Sequence, residues 1–297
     1  MPLSSTYSTN YRGRFAPSPT GPLHLGSLTT ALASYLDAKK NQGQWLLRIE
    51  DIDPLREMPG ANEDIINTLE AHGLHWDESV YTQLDQSARY EQAIHRLIES
   101  KVAYHCRCSR KDLAENNGYH LSTCPRHTPL PPILPDTEPF AVRVAVTECQ
   151  TKWNDLVTGE QTHRLRQEID DFVIKRKEGF YAYHLAVVCD DIAQGITHIV
   201  RGADLLESTP FHLYLYQQLG HPAPIYAHTP IICNENGQKL SKQNLAPAID
   251  NQTAQHNLYA AMQLLKMQPP KSLLTSSVQS LLAWGMHHWS FKPLQAG

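Results

Sequence analysis

The chain has no apolar run approaching the ~20 residues that a bilayer-spanning helix needs, and its polar first ten residues, Met1 to Asn10, hold no signal-peptide core. A cytoplasmic protein with no membrane partner is the expectation. Nor is charge of one sign in excess: 26 Lys and Arg against 30 Asp and Glu leave a net charge of −4. Composition therefore neither supports nor excludes an RNA partner, and any basic contact has to be local. A disulfide framework is missing too. Cys149, Cys189 and Cys233 are scattered, as small buried apolar residues are, whereas Cys106, Cys108 and Cys124 cluster and point to a metal. Internal repeats are absent, and only the Pro-rich stretch 125–139 has linker character.

What is present is organised around Arg14 to Ser27. Two prolines stiffen an extended approach, glycines allow close passage of backbone, and His24 and Gly26 stand where an apolar-periodic helix begins. The start of a helix presents unpaired N–H groups and a partial positive charge, which suit a phosphate or carboxylate. Leu25, Leu28, Ala31, Leu32, Tyr35 and Leu36 then mark one buried face, with a stop expected near Gly43. The compact run Trp45 to Ile49 reads as a strand delivering Glu50, Asp51 and Asp53 at its C-terminal edge, where α/β sheets hold their ligands.

Helical patterns over 61–72 and 87–100 continue a β–α alternation that argues for a parallel sheet covered by helices. Turn chemistry from residue 104 reads as an insertion, and alternating residues from Phe140 to Leu165 as a hairpin or meander. Residues 196–202 read as a buried strand with Arg201 at its exit, then a helix through Leu219, and a further strand and turn over 230–237. Two last helical patterns cover 253–266 and 273–284. The patch from Trp284 to Trp289 reads as a small helical core in preference to a base-stacking surface.

Cys106-x-Cys108 with His120 and Cys124 offers four zinc-type ligands, since thiolates and imidazole favour zinc over magnesium. Four protein ligands leave no open position, so the expected role is structural. Arginines such as Arg14 and Arg201 suit carboxylates through their planar forks, and an acidic residue such as Glu50 suits an ammonium.

Three separated stretches, Arg14-Phe15-Ala16-Pro17-Ser18-Pro19-Thr20-Gly21 with His24-Leu25-Gly26-Ser27, Ile199-Val200-Arg201-Gly202-Ala203-Asp204 and Lys239-Leu240-Ser241-Lys242-Gln243, closely resemble the class I glutamyl-tRNA synthetases. The likeness covers about residues 12–250 and is best to the truncated branch that glutamylates queuosine in tRNA(Asp). Ser27 departs from the commoner final histidine of its motif. The resemblance implies an α/β fold: a Rossmann-like doubly wound parallel sheet split into 1–104 and 171–250, a zinc-binding insertion over 105–170 where the family contacts an acceptor stem, and a short helical region over 251–297.

It also implies an ATP-dependent ligase that activates L-glutamate with Mg2+ on the ATP, without tRNA being present. His24 and Gly26, as catalytic elements, would hold ATP phosphates, with Lys242 following the departing pyrophosphate and Lys239 assisting. Arg14 and Arg201 would hold the glutamate carboxylates, Glu50 its ammonium, and Tyr183 and Ser18 would complete the pocket. Because relatives can use a tyrosine near His120, Tyr119 competes as fourth zinc ligand, with His127 an outside candidate.

Only 55 residues follow Lys242, too few for the large anticodon-binding region of full-length members, so the expected acceptor is the cyclopentenediol of queuosine in the anticodon loop of tRNA(Asp), met by a monomer. A minimal enzyme charging the 3′ end of tRNA(Glu), a silent RNA-binding paralogue and a ligase acting on a metabolite or carrier protein are the alternatives.

Overall fold

The computed structural model describes residues 11–127, 139–232 and 247–295. The chain begins with β1 (Arg12–Phe15), α1 (Leu25–Lys40) and β2 (Gln44–Ile49), and β1 and β2 pair in parallel from Arg12 opposite Gln44 to Phe15 opposite Leu47. Parallel neighbours need a crossover, and α1 supplies it. Its Leu28, Ala31, Leu32 and Leu36 are wholly buried, which is the three- and four-residue periodicity doing what the sequence predicts. The return into β2 is tight: a Cβ on Gly43 would sit 2.4 Å from the Tyr11 carbonyl oxygen, so only glycine fits.

Next come α2 (Ala61–Ala71), β3 (Tyr81–Thr82), α3 (Ser87–Glu99), β4 (Ala103–Cys106), α4 (Arg110–Glu115), β5 (Ala141–Val144), β6 (Cys149–Asp155), β7 (Gly159–Leu165) and β8 (Phe172–Lys175). β3 extends the first sheet in parallel beside β2, β6 and β7 form an antiparallel hairpin, and β4-β5-β8 is a separate antiparallel sheet. β4, at the start of the stretch 105–170, and β8, just past its end, both flank β5.

The chain continues with α5 (Tyr183–Ala193), β9 (His198–Gly202), α6 (Thr209–Gln218) and β10 (Ile225–Thr229). β9 and β10 are parallel, and Thr197 ties β9 to β1 through its N–H to the Arg12 carbonyl at 2.9 Å. The C-terminal edges of β1, β2 and β9 therefore converge, and with them Arg14, Glu50 and Arg201. The strand expected around 230–233 lies instead at Ile225–Thr229 and ends before Pro230, whose missing N–H cannot continue a ladder. Cys233 falls outside the described residues.

The last helices are α7 (Ala254–Leu264), α8 (Val278–His288) and α9 (Lys292–Gln295). α8 starts later than its periodicity suggests, because residues 271–275 form a 3-10 turn and Ser277 caps the helix by accepting from the Ser280 N–H. These helices close the core around α1: Gly285 faces Leu36 and Met262, and Trp289, 1 % exposed, donates to Asp37 at 2.9 Å. Asp37 also accepts from Tyr11 at 2.5 Å. Burial pushes its carboxyl up, and the two donors hold back part of that rise. Among the described residues no helix is long and apolar enough to cross a membrane.

Candidate active site

A cavity of about 300 Å³ opens at the strand edges and is lined by Arg14, Ser18, Glu50, Tyr183 and Arg201, with Phe15, Val200 and Leu205 as apolar wall. Arg14, Glu50 and Arg201 are buried. Three charged side chains taken out of water cost free energy unless each is compensated, so their partners decide what the cavity can hold.

Arg14 donates through Nε to Asp191 at 3.1 Å, and its two terminal nitrogens bond no described residue. The side chain is 4 % exposed, so a locked guanidinium turns an unused fork toward the cavity. Arg48, wholly buried in β2, donates to the same Asp191 oxygen at 2.7 Å and to Glu50 at 3.3 Å. Burial works against the Asp191 charge, yet Arg14 and Arg48 hold its carboxyl below the usual range. Glu50 goes the other way, pushed up by burial that Arg48 and Arg14 only partly offset. A cation placed beside Glu50 would reverse that shift.

Arg201 is held differently. Its Nε donates to His228 at 3.0 Å, one terminal nitrogen reaches His212 at 3.3 Å and the Tyr183 hydroxyl at 3.4 Å, and the other bonds Thr209 at 2.9 Å and the Leu205 carbonyl at 3.1 Å. All are neutral acceptors. Among the described residues no carboxylate lies within ion-pair distance of Arg201; Asp190 is taken up by Tyr81, Gln83 and Tyr90. Burial first, and then the nearby Arg201 charge, keep the neighbouring imidazoles neutral, and together they lower His184 to about 4.

His24 is the N-cap of α1, accepting from the Ser27 N–H at 3.2 Å while its own N–H donates to the Ser27 hydroxyl at 2.9 Å. That reciprocal box gives the serine a local reason to stand where the motif more often has histidine. His24 and the buried Gly26 sit at the head of α1 rather than in the cavity wall. Lys239 and Lys242 lie outside the described residues.

A second constellation stands apart. The ligand atoms of Cys106, Cys108, His120 and Cys124 all lie within 4.8 Å of one another. His120 points Nδ1 at Cys106 and Cys124, at 3.5 and 3.6 Å, and its Nε2 meets the Tyr104 hydroxyl at 2.9 Å. Tyr104 donates onward to Asp171 at 2.8 Å, and Arg126 holds Asp171 at 2.7 Å. Three thiols and an oriented imidazole around one point fit zinc, and the chain behind His120 fixes the tautomer that frees Nδ1. The competing Tyr119 is 47 % exposed, and His127 pairs with Glu168 at 3.2 Å, so neither joins the cluster.

Sequence reasoning passed over Arg48, Asp191, Asp155, His212 and His228. Only Arg48 carries a usable signal, a charge inside the apolar run of β2, which has to find a buried partner.

Residues 10–268 match the family described as tRNA synthetases class I (E and Q), catalytic domain. The Chromobacterium violaceum protein called glutamyl-Q tRNA(Asp) synthetase is 47 % identical over 97 % of this chain and 96 % of its own length. Its namesake from Photobacterium profundum is 46 % identical, over 96 % of this chain and 90 % of its own. Among solved structures, a glutamate tRNA ligase from Elizabethkingia meningosepticum, in complex with its amino acid, is 32 % identical with a TM-score of 0.67, covering 79 % of this chain and about half, 52 %, of that one. A glutamate-tRNA synthetase from Elizabethkingia anophelis is 26 % identical, with a TM-score of 0.77 over 97 % of this chain and 67 % of its own. With matches this extensive, the chain belongs to the class I tRNA synthetases for glutamate and glutamine, in their glutamyl-Q tRNA(Asp) synthetase branch.

Proposed function

We propose that the cavity binds L-glutamate and that the chain transfers it, through an adenylate, to the cyclopentenediol of queuosine in tRNA(Asp). The observation that carries this reading is the reserve left in two buried arginines that face one cavity: Arg14 pairs with Asp191 only through Nε, and Arg201 has only neutral partners among the described residues. A ligand with two carboxylates compensates both. Its ammonium compensates Glu50, and the Tyr183 hydroxyl and Ser18 finish the polar lining.

Bound this way, a glutamate α-carboxylate oxygen attacks the α-phosphorus of ATP in line, and the bond to pyrophosphate breaks. An acceptor hydroxyl then attacks the acyl carbon, its proton is released and AMP leaves. Orientation and charge stabilisation supply the acceleration. His24 and the N–H groups at the head of α1 are assigned to the ATP phosphates, with Lys239 and Lys242 on the pyrophosphate. Magnesium accompanying the ATP would add positive charge at its phosphates. Cys106, Cys108, His120 and Cys124 would hold zinc, which would tie the insertion 105–170 that is assigned to RNA contact. The reading includes a cytoplasmic monomer.

The names of the relatives support the acceptor, and labelled glutamate tests it. Incubated with ATP and tRNA(Asp) carrying or lacking queuosine, the label is expected in the anticodon loop of the modified RNA alone. Label on a 3′ terminal adenosine, with or without queuosine, would move the assignment to a minimal glutamyl-tRNA synthetase, and turnover without RNA to a small-molecule ligase.

A further inference from the structure

Behind Arg201 lies a second layer that the binding reading does not use. His228, wholly buried on β10, takes the Arg201 Nε–H on its Nε2 at 3.0 Å, and its Nδ1 lies 2.5 Å from Asp155 Oδ2 at the end of β6. The Thr209 hydroxyl, 3.3 Å from the same Nε2, is placed to donate there as well. Donors converging on Nε2 leave the ring proton on Nδ1, where Asp155 accepts it. Asp155 is fixed in turn: its Oδ1 accepts the N–H groups of Val157, Thr158 and His228 at 3.0, 3.0 and 3.1 Å. The Arg201 guanidinium also lies over the Tyr226 ring, 5.0 Å from its centroid, and that ring stacks on His228 at 5.8 Å.

We infer that His228 and Asp155 are positioning residues for Arg201, with the neutral imidazole acting as a spacer that orients the guanidinium while keeping the Asp155 carboxylate off it. A carboxylate in the place of the ring would pair with Arg201 directly and weaken its attraction for an anion in the cavity. Through the ring, Asp155 sets the tautomer and the direction of the Nε–H bond, and Arg201 keeps its attraction for an anion in the cavity. Arg14 has no such spacer: Asp191 touches its Nε directly and leaves the terminal fork open. The two arginines are thus oriented by opposite devices, and only Arg201 depends on the protonation pattern of a histidine.

The inference rests on the reading of the cavity as a glutamate site, and Asp155→Asn separates the two. In that variant the amide oxygen can keep the three backbone N–H bonds, while the amide nitrogen now donates to His228 Nδ1. The ring proton moves to Nε2 and confronts the Arg201 Nε–H, donor against donor. Calorimetry on the full chain should then show glutamate Kd rising by about tenfold or more, with the Kd of a non-hydrolysable ATP analogue within about twofold, and 15N NMR should show the His228 tautomer exchanged. His228→Gln, whose amide oxygen can take the Arg201 N–H, should lose less than His228→Ala. Unchanged glutamate affinity alongside an exchanged tautomer overturns the inference, and so do glutamate and ATP affinities that fall together with thermal stability. Arg201→Ala is the control for the parent reading: if it leaves glutamate Kd unchanged, the cavity assignment fails and takes the inference with it. If Arg201→Ala weakens glutamate while Asp155→Asn does not, only the inference fails.

Discussion

The cavity and the Cys/His cluster are both built from buried polar side chains, yet they spend those groups in opposite ways. In the cluster every ligand atom faces inward on the other three, and the outer nitrogen of His120 is used up by Tyr104 and Asp171. In the cavity Arg14 keeps an open fork, Arg201 has no counter-ion among the described residues and Glu50 is held above its ordinary range. A saturated site with four protein ligands suits a structural ion, whereas a site with capacity in reserve suits a ligand that comes and goes. Each region can be broken without the other.

The largest effect should come from the reserve charges. Arg14→Ala or Arg201→Ala should cut glutamate-dependent pyrophosphate exchange by roughly a thousandfold, about 4 kcal/mol, because each removes a charged partner from a desolvated carboxylate. A loss below tenfold would mean that the carboxylates sit elsewhere. Cys108→Ser should instead release zinc, measured by atomic emission, and lower Tm by roughly 3 °C for an assumed loss of about 2 kcal/mol, with glutamate KM nearly unchanged. A preparation of the parent chain without stoichiometric zinc would undo that half of the comparison.

A smaller effect separates Glu50 from its neighbours. Its ionised form pairs with the ammonium and its pKa is raised, so glutamate affinity should fall as pH drops through that raised pKa, by at most about tenfold per pH unit. Glu50→Gln should bind weakly and lose this slope; a parallel slope in the variant would assign the titration to another group. The smallest change is expected at Tyr119→Phe, which should leave zinc content as it was, whereas His120→Ala should lower it.

Much of this was legible because it is local. The periodicity of α1 and the apolar run of β2 follow from neighbours in sequence, and the charged residues assigned to the cavity, Arg14, Glu50 and Arg201, stand at the ends of β1, β2 and β9, where the strand pattern points. The Cys/His spacing named the cluster but left Tyr119 against His120 open, since adjacent residues differ in which way they face, and only burial decides that. The supporting layer was not legible. Asp191 meets Arg14 across 177 positions of sequence and Asp155 meets His228 across 73, and no periodicity encodes such encounters. Asp155 closes β6 and His228 stands next to the last residue of β10, and both look like ordinary polar ends until the fold puts Arg201 between them and the cavity. The strand placed too late, at 230–233, shows the same limit: apolar content marked the region, and Pro230 decided where pairing stopped.

The central claim is that two buried arginines, Arg14 through its open fork and Arg201 through its uncompensated charge, hold a dicarboxylate. Measuring kcat/KM for pyrophosphate exchange with glutamate and with glutamine tests it most directly. Glutamine matches glutamate in size but lacks the second charge, so the account predicts discrimination of about a thousandfold, with the glutamine penalty relieved in Arg201→Ala or Arg14→Ala. Comparable rates for the two amino acids in the parent chain would contradict it.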